Sequence, residues 1–178
     1  MLLLLALLAL PGHAQTVKKA PAKHPVATTS PTRRLGVADG WSAYTYREKS
    51  GQVCYLAADP RKTEPATMKR KPASAMVTHR PQENVTNVVS FVVGYPLKDG
   101  SDAALDIDGT KFDLFTKSDT AWSRTADTDK TIVEAMAKGK QAVIKATPQK
   151  GAPTTDTYSL AGFGKALALI DKACGIKR

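Results

Sequence analysis

Ala104-Leu105-Asp106-Ile107-Asp108-Gly109-Thr110-Lys111-Phe112-Asp113-Leu114-Phe115 reads as two strands joined by a tight turn. Asp-Gly readily takes positive φ at both central positions of a two-residue hairpin, so the flanking arms are expected to pair. Upstream, Val85 to Val93 is nearly continuous in β-branched and aromatic residues (Val88, Val89, Phe91, Val92, Val93). That is the mark of a core strand covered on both faces. Trp41 to Tyr46 alternates with a period of two, Lys49 to Gln52 supplies a turn, and Val53 to Ala57 forms the second arm of a hairpin. Ala75 to His79 reads as a short strand stopped by Pro81, after a polar loop from Arg61 to Pro72.

Downstream of the opening hairpin, Ala121 to Ser123 is expected as an edge strand. Asp127-Thr128-Asp129 is expected to cap a helix from about Lys130 to Lys138, closed by Gly139. Gln141 to Ala146 and Thr154 to Leu160 follow as strands. Phe163, Ala166, Leu167, Ile170 and Cys174 keep the spacing of a terminal helix whose apolar side carries the sulfur. About eight short strands with two brief helices predict a mainly β fold, a sandwich or a barrel. Strand-helix-strand alternation is missing, as are the G-x-G-x-x-G and G-x-x-x-x-G-K-[ST] runs, which argues against a nucleotide-binding α/β domain.

The ends of the chain carry a different kind of information. Leu2 to Leu10 is an unbroken apolar run followed by Pro11-Gly12-His13-Ala14-Gln15. As a helix it reaches only about 14 Å, too short for a bilayer of about 30 Å. Small residues at Gly12 and Ala14 fit a signal-peptidase cut, so residues 1–14 read as a signal peptide and Gln15 as the new N-terminus. Residues 15–38, rich in Pro, Ala, Thr and Lys, read as a basic flexible tether, which leaves 39–178 as one domain. The 178-residue chain holds 26 Lys+Arg against 16 Asp+Glu, net +10, with 42% hydrophobic residues, which excludes a fully disordered chain or a membrane bundle. No span is expected after signal cleavage.

Cys54 and Cys174 are the only two cysteines. In an oxidising compartment an even pair invites one disulfide, from an early strand to the last helix; two buried thiols are the other reading. A four-ligand Cys/His zinc site is not available from two Cys and the single domain histidine, His79, so neither metal nor cofactor is expected. Asp106-Ile107-Asp108-Gly109 lacks the further donors of a calcium loop and reads as a turn. His79 has no nucleophile elbow to serve, which makes it a structural or surface residue rather than a catalytic one. Arg61, Lys62, Lys69, Arg70 and Lys71 form a basic cluster suited to an anionic lipid or glycan. It has no aromatic residue to stack on bases, so no nucleic-acid partner is expected.

Several segments together resemble one family: Trp41-Ser-Ala-Tyr-Thr-Tyr leading to Cys54, Val77-Thr-His-Arg-Pro81, Val89-Ser-Phe-Val-Val-Gly-Tyr-Pro96 and Ile107-Asp-Gly109. Ala121-Trp122, Ala135-Met-Ala-Lys-Gly139, Asp156-Thr-Tyr-Ser-Leu-Ala-Gly-Phe163 and Cys174 continue the series. In this order they resemble the invasion associated locus B family of exported α-proteobacterial proteins. The resemblance implies an immunoglobulin-like β-sandwich in the periplasm or envelope and, for the type member, a virulence role in the invasion of host red cells. It carries over no catalytic residues. The expectation is therefore a non-enzymatic periplasmic or secreted cell-envelope protein with a disulfide between Cys54 and Cys174. It would act through its surface on an envelope or host-surface component, in host-cell invasion or envelope maintenance. The rival readings are an envelope hydrolase using His79 and a carrier of an apolar ligand, the latter marked by a cavity between the sheets.

Overall fold

A computed structural model of the chain describes residues 30–98 and 100–178. The signal-peptide reading and most of the tether lie outside these residues. Among the described residues eleven strands form one antiparallel sheet: β1 (Arg33–Ala38), β2 (Trp41–Glu48), β3 (Gly51–Ala58), β4 (Lys62–Glu64), β5 (Ser74–Arg80), β6 (Val85–Val92), β7 (Asp102–Ile107), β8 (Thr110–Lys117), β9 (Thr120–Trp122), β10 (Gln141–Ala146) and β11 (Thr154–Ser159). Helix α1 (Ala126–Lys138) precedes β10, and α2 (Phe163–Cys174) ends the fold.

The sheet order is β1-β2-β3-β5-β6-β9-β8-β7-β10-β11-β4. Strands β3 and β4 are separated by only Asp59, Pro60 and Arg61, yet β4 lies at the far edge of the sheet. So short a link cannot cross an open sheet of this width. The sheet must therefore curl back on itself. The Arg61 N–H donates to the Thr157 carbonyl at 2.7 Å, and the Trp41 indole donates to the Ser159 carbonyl at 2.9 Å. Phe91 on β6 meets Tyr158 on β11 edge-on, ring centroids 5.7 Å apart. The mainly β, sandwich-like reading holds, with both packed layers belonging to one hydrogen-bonded sheet.

Strand β9 joins the layers. It pairs with β6 on one side and β8 on the other, so Ala121-Trp122 is an internal strand and not the edge its short length suggests. The opening hairpin is β7–β8, with Ile107 opposite Thr110 and positive φ at Asp108 and Gly109. Asp106 accepts from the Gly109 N–H, while the Asp108 carboxylate takes the Lys140 and Gln141 N–H groups at 2.6 and 3.2 Å. The turn thus seats the passage from α1 into β10 and is not merely a solvated face.

Two strands were hidden in polar sequence. Arg33–Ala38 pairs with β2, so the domain begins six residues inside the stretch read as tether. Its core contact is small, with Leu35 half-buried against the cluster, and backbone pairing carries most of its attachment. Lys62–Glu64 pairs with β11 inside the stretch read as loop. Helix α1 is capped one turn earlier than the Asp-Thr-Asp run suggests: the Thr125 hydroxyl accepts from the Thr128 N–H at 3.1 Å. Asp129 is instead buried, its carboxylate accepting from the Val89 N–H at 2.8 Å and fastening α1 to β6.

Helix α2 lies on the inner face of β1, β2, β3 and β5. Phe163 meets Trp41 edge-on at 5.0 Å, and Ala166, Leu167 and Ile170 are buried with it. The expected disulfide is formed between Cys54 on β3 and Cys174 at the end of α2, a sequence separation of 120. A loop of that size gives about 5 kcal/mol of stabilisation in the chain-entropy account. Reduction, or Cys174→Ser, is expected to lower Tm by roughly 10–15 °C, measured by thermal melting with and without reductant. An unchanged Tm would show that the bridge constrains nothing.

Candidate functional site

Alternation along β2, β3, β5 and β6 sends one set of side chains into the core and the other to the opposite face, which neither helix covers. On β2 that outer set is Ser42, Tyr44 and Tyr46; on β3 it includes Val53 and Tyr55. Strand β5 contributes Met76, Thr78 and Arg80, opposite Ser90, Val88 and Val85 of β6. Trp122 of β9 stands opposite Ser90, and Thr120 opposite Val92. Apart from Ser42 and Tyr44, which lie beyond its tyrosine end, these residues line an open groove of about 420 Å³. Its volume falls in the range of small-molecule sites, about 300–1,000 Å³.

A β-bulge shapes this groove. The β5–β6 register shifts between Thr78 and Arg80, and Asn87 takes a left-handed φ of 61°. The extra residue lets both Val85 and Val88 face the groove, although they are three positions apart. Val85, Val88 and Val92 are only half-buried, whereas Val89, Phe91 and Val93 are fully buried. The expectation that this strand is covered on both faces is therefore corrected. Its outer apolar residues line a groove open to solvent.

The aromatic end of the groove is ordered by stacking. Tyr44 and Tyr55 lie nearly parallel at 5.0 Å, and Tyr46 meets Tyr55 edge-on at 6.1 Å. Burial, then the neighbouring Tyr44 and Tyr46, pushes the Tyr55 hydroxyl above its ordinary pKa. It stays a neutral phenol at physiological pH. Arg80 is the one charged residue of the lining and is already engaged by Glu48, with Glu83 at 3.9 Å.

The bulge also completes the surroundings of His79, which pairs with Cys54 across β3–β5. His79 is fully buried. Its Nδ1 accepts from the Asn87 N–H at 3.0 Å, so Nε2 carries the proton and donates to Asp171 Oδ1 at 3.0 Å. Arg178 donates to the same carboxylate through Nε at 2.6 Å and reaches Asn87 Oδ1 at 2.7 Å. Both ring nitrogens are committed, which leaves neither to take a proton from a nucleophile. His79 sits where a triad histidine would have its aspartate, but the third position is filled by backbone. Its role here is to hold α2 beside the disulfide.

The basic cluster does not stay together. The Arg70 side chain is only 8% exposed and leaves the set proposed for surface contact: its guanidinium makes a two-pronged pair with Asp156 of β11, one arm at 2.7 Å. It also donates to the Val93 carbonyl and to Thr63 Oγ1, while Thr63 donates to Asp156. Asp156 is 1% exposed, and this pair ties the long β4–β5 connection to the far layer. Gly94, at φ 79°, lets the Lys71 carbonyl approach to where a side chain would begin. Arg61 is exposed and donates to the Asp39 carbonyl; Lys62 pairs with Glu64 at 2.9 Å. Lys69 and Lys71 are exposed. Among the described residues no cluster of His, Cys, Asp or Glu is suited to a metal ion, and no helix is long and apolar enough to cross a membrane.

The family of the invasion associated locus B (IalB) protein matches residues 41–171. The chain belongs to that family. No curated protein and no solved structure matches it. The match begins at the Trp41 that packs on α2 and ends at the Asp171 that receives His79, so it spans the sheet and the fastening of its last helix.

Burial pushes the Asp171 carboxyl upward, but hydrogen bonds from His79 and Arg178 outweigh it and hold the group below its ordinary value of 3.8. A carboxylate depressed in the folded state adds stability above its unfolded pKa and loses it as pH falls through the folded one. Asp171→Asn is expected to cost on the order of 1–3 kcal/mol at neutral pH. In urea titrations its deficit against wild type should shrink below about pH 4. A deficit of the same size at every pH would contradict this assignment.

Proposed function

We propose that the chain is a non-enzymatic, exported envelope protein of the IalB type, periplasmic or secreted, that acts by contact through its surface. The observation that carries this reading is the open apolar groove on the outer face of β2, β3, β5, β6 and β9. The disulfide supports export, since such bridges persist in oxidising compartments. The Leu2–Leu10 run supports it from the sequence side. The setting is host-cell invasion or envelope maintenance, and the partner an envelope or host-surface component. Arg61, Lys69 and Lys71 remain the exposed cations for an anionic lipid or glycan, with Arg70 removed from the set and Lys62 offset by Glu64.

The test is crosslinking in intact envelopes of the native host. Wild type is expected to capture a defined component, and Val88→Asp to lose most of that capture while melting within a few degrees of wild type. Removal of residues 17–29 keeps β1 and asks separately what the basic segment adds. Turnover of an envelope substrate that disappears in His79→Ala, with capture unaffected by Val88→Asp, would overturn the reading in favour of a hydrolase.

A further inference from the structure

One corner of the sheet carries charge that the fold itself does not use. Arg33 and Arg34 open β1, Arg47 lies near the end of β2, and Lys49 follows in the β2–β3 turn. The Ser30 N–H donates to the Arg47 carbonyl at 2.9 Å, and Arg33 stands opposite Thr45, so the β1 arginines and Arg47 lie side by side across two paired strands. All of these basic side chains are exposed. Among the described residues none of them makes an ion pair or donates a hydrogen bond. Arg33 and Arg47 line a polar hollow of about 230 Å³ with Ser30, Thr45, Tyr46 and Gln52.

The acids of this corner face elsewhere. Glu48 lies between Arg47 and Lys49 in the chain, but its carboxylate engages Arg80, which Glu83 also approaches at 3.9 Å. Two carboxylates around one guanidinium leave a single negative charge against Arg33, Arg34, Arg47 and Lys49. The surplus is positive. Residues 16–29, which lead into Ser30, add Lys18, Lys19 and Lys23 and no acid. Like charges held together repel, and an anion between them relieves the repulsion. A guanidinium presents a planar fork of donors that matches two oxygens of a phosphate.

The same edge also presents apolar surface. Val37 is 55% exposed, the one large, strongly exposed hydrophobic side chain among the described residues. It follows Arg34 on β1, the last strand on its side of the sheet. Arg34 stands opposite Tyr44 and Val37 opposite Ser42, and cross-strand partners share a face, so both belong to the face that bears Tyr46 and Tyr55. A soluble anion gains nothing from Val37. A lipid surface offers that side chain hydrocarbon to enter, and tyrosine, with an apolar ring and a polar tip, settles at headgroup depth. Cations, tyrosines and an exposed aliphatic residue on one edge suit the boundary between water and membrane.

We infer that the β1–β2 corner docks on an anionic phospholipid surface, with Arg33, Arg34, Arg47 and Lys49 against the lipid phosphates and Val37 in the acyl boundary. This rests on the surface-contact reading above and names one surface that is contacted. It places the lipid contact at this corner and not at Lys69 and Lys71.

The test is co-sedimentation of the oxidised protein with vesicles of mixed phosphatidylcholine and phosphatidylglycerol, against vesicles of phosphatidylcholine alone. Partition onto the anionic vesicles is expected, and it should fall as salt is raised. Each cation near such a surface is worth about fivefold, so Arg34→Ser/Arg47→Ser should lose roughly thirtyfold, while Arg34→Lys/Arg47→Lys should keep most of the binding. Val37→Asn should weaken binding severalfold at low and high salt alike. These side chains are exposed and unpaired, so the variants should melt with wild type. Equal partition onto both kinds of vesicle, full binding by Arg34→Ser/Arg47→Ser, or no effect of Val37→Asn would overturn the inference. Release by inorganic phosphate beyond that by chloride at equal ionic strength would also overturn it, in favour of a site for free phosphate. If wild type ignores the vesicles while envelope capture still depends on Val88, the lipid assignment falls and the surface-contact reading stands.

Discussion

The fold depends on one piece of fastening: the C-terminal helix is pinned to the inner face of the sheet by a covalent bridge and a buried ionic hydrogen-bond set side by side. Cys54 and His79 are cross-strand neighbours on β3 and β5, and each reaches α2, at Cys174 and Asp171 respectively. The two anchor points on the helix lie three residues apart, one above the other on the same face. Burying a carboxylate and an imidazole together is favourable only when every polar atom is met. Asn87 and Arg178 meet the remaining ones. With the helix so held, Trp41, Phe163 and Ile170 close the core on that side.

The consequence for function is an asymmetry. Helix α2 covers the inner face of the first half-sheet and α1 packs beside β6, while the outer face stays open to solvent. The bulge at Asn87 serves both faces at once. Inward it turns a backbone N–H onto His79; outward it brings Val85 and Val88 onto the same surface. The irregularity that completes the buried network also makes the groove floor apolar. Membership in the IalB family covers both features, since the match runs from the first core strand to the anchoring aspartate.

Much of this could be read from the chain because local chemistry and tertiary structure agree there. The Asp108-Gly109 turn and the 163–174 helix with its sulfur on the apolar side are local patterns, and the Cys54–Cys174 bridge follows from there being two cysteines in all once an oxidising compartment is expected. What escaped had no local signal. β1 is Arg-Arg-Leu-Gly-Val-Ala, too charged and small to announce a strand, and it is held mainly by pairing with β2. β4 is three polar residues whose Thr63 hydroxyl matters only because Asp156 arrives from β11. Arg70 looked like its basic neighbours, and its burial follows from a carboxylate 86 residues away. The run from Val85 to Val93 was legible as a strand but not as a groove, since a continuous apolar pattern cannot say whether a second layer or a ligand covers the outer face.

The two tryptophans offer the most direct measurement. Trp41 is fully buried under α2, while Trp122 stands half-exposed in the groove. Acrylamide quenching of the oxidised protein should therefore resolve two populations, one accessible and one protected. After reduction of the Cys54–Cys174 bridge the protected population should become quenchable. Equal quenching of both indoles in the oxidised protein, or protection of both, would contradict a molecule whose inner face is shut by its last helix and whose outer face is open.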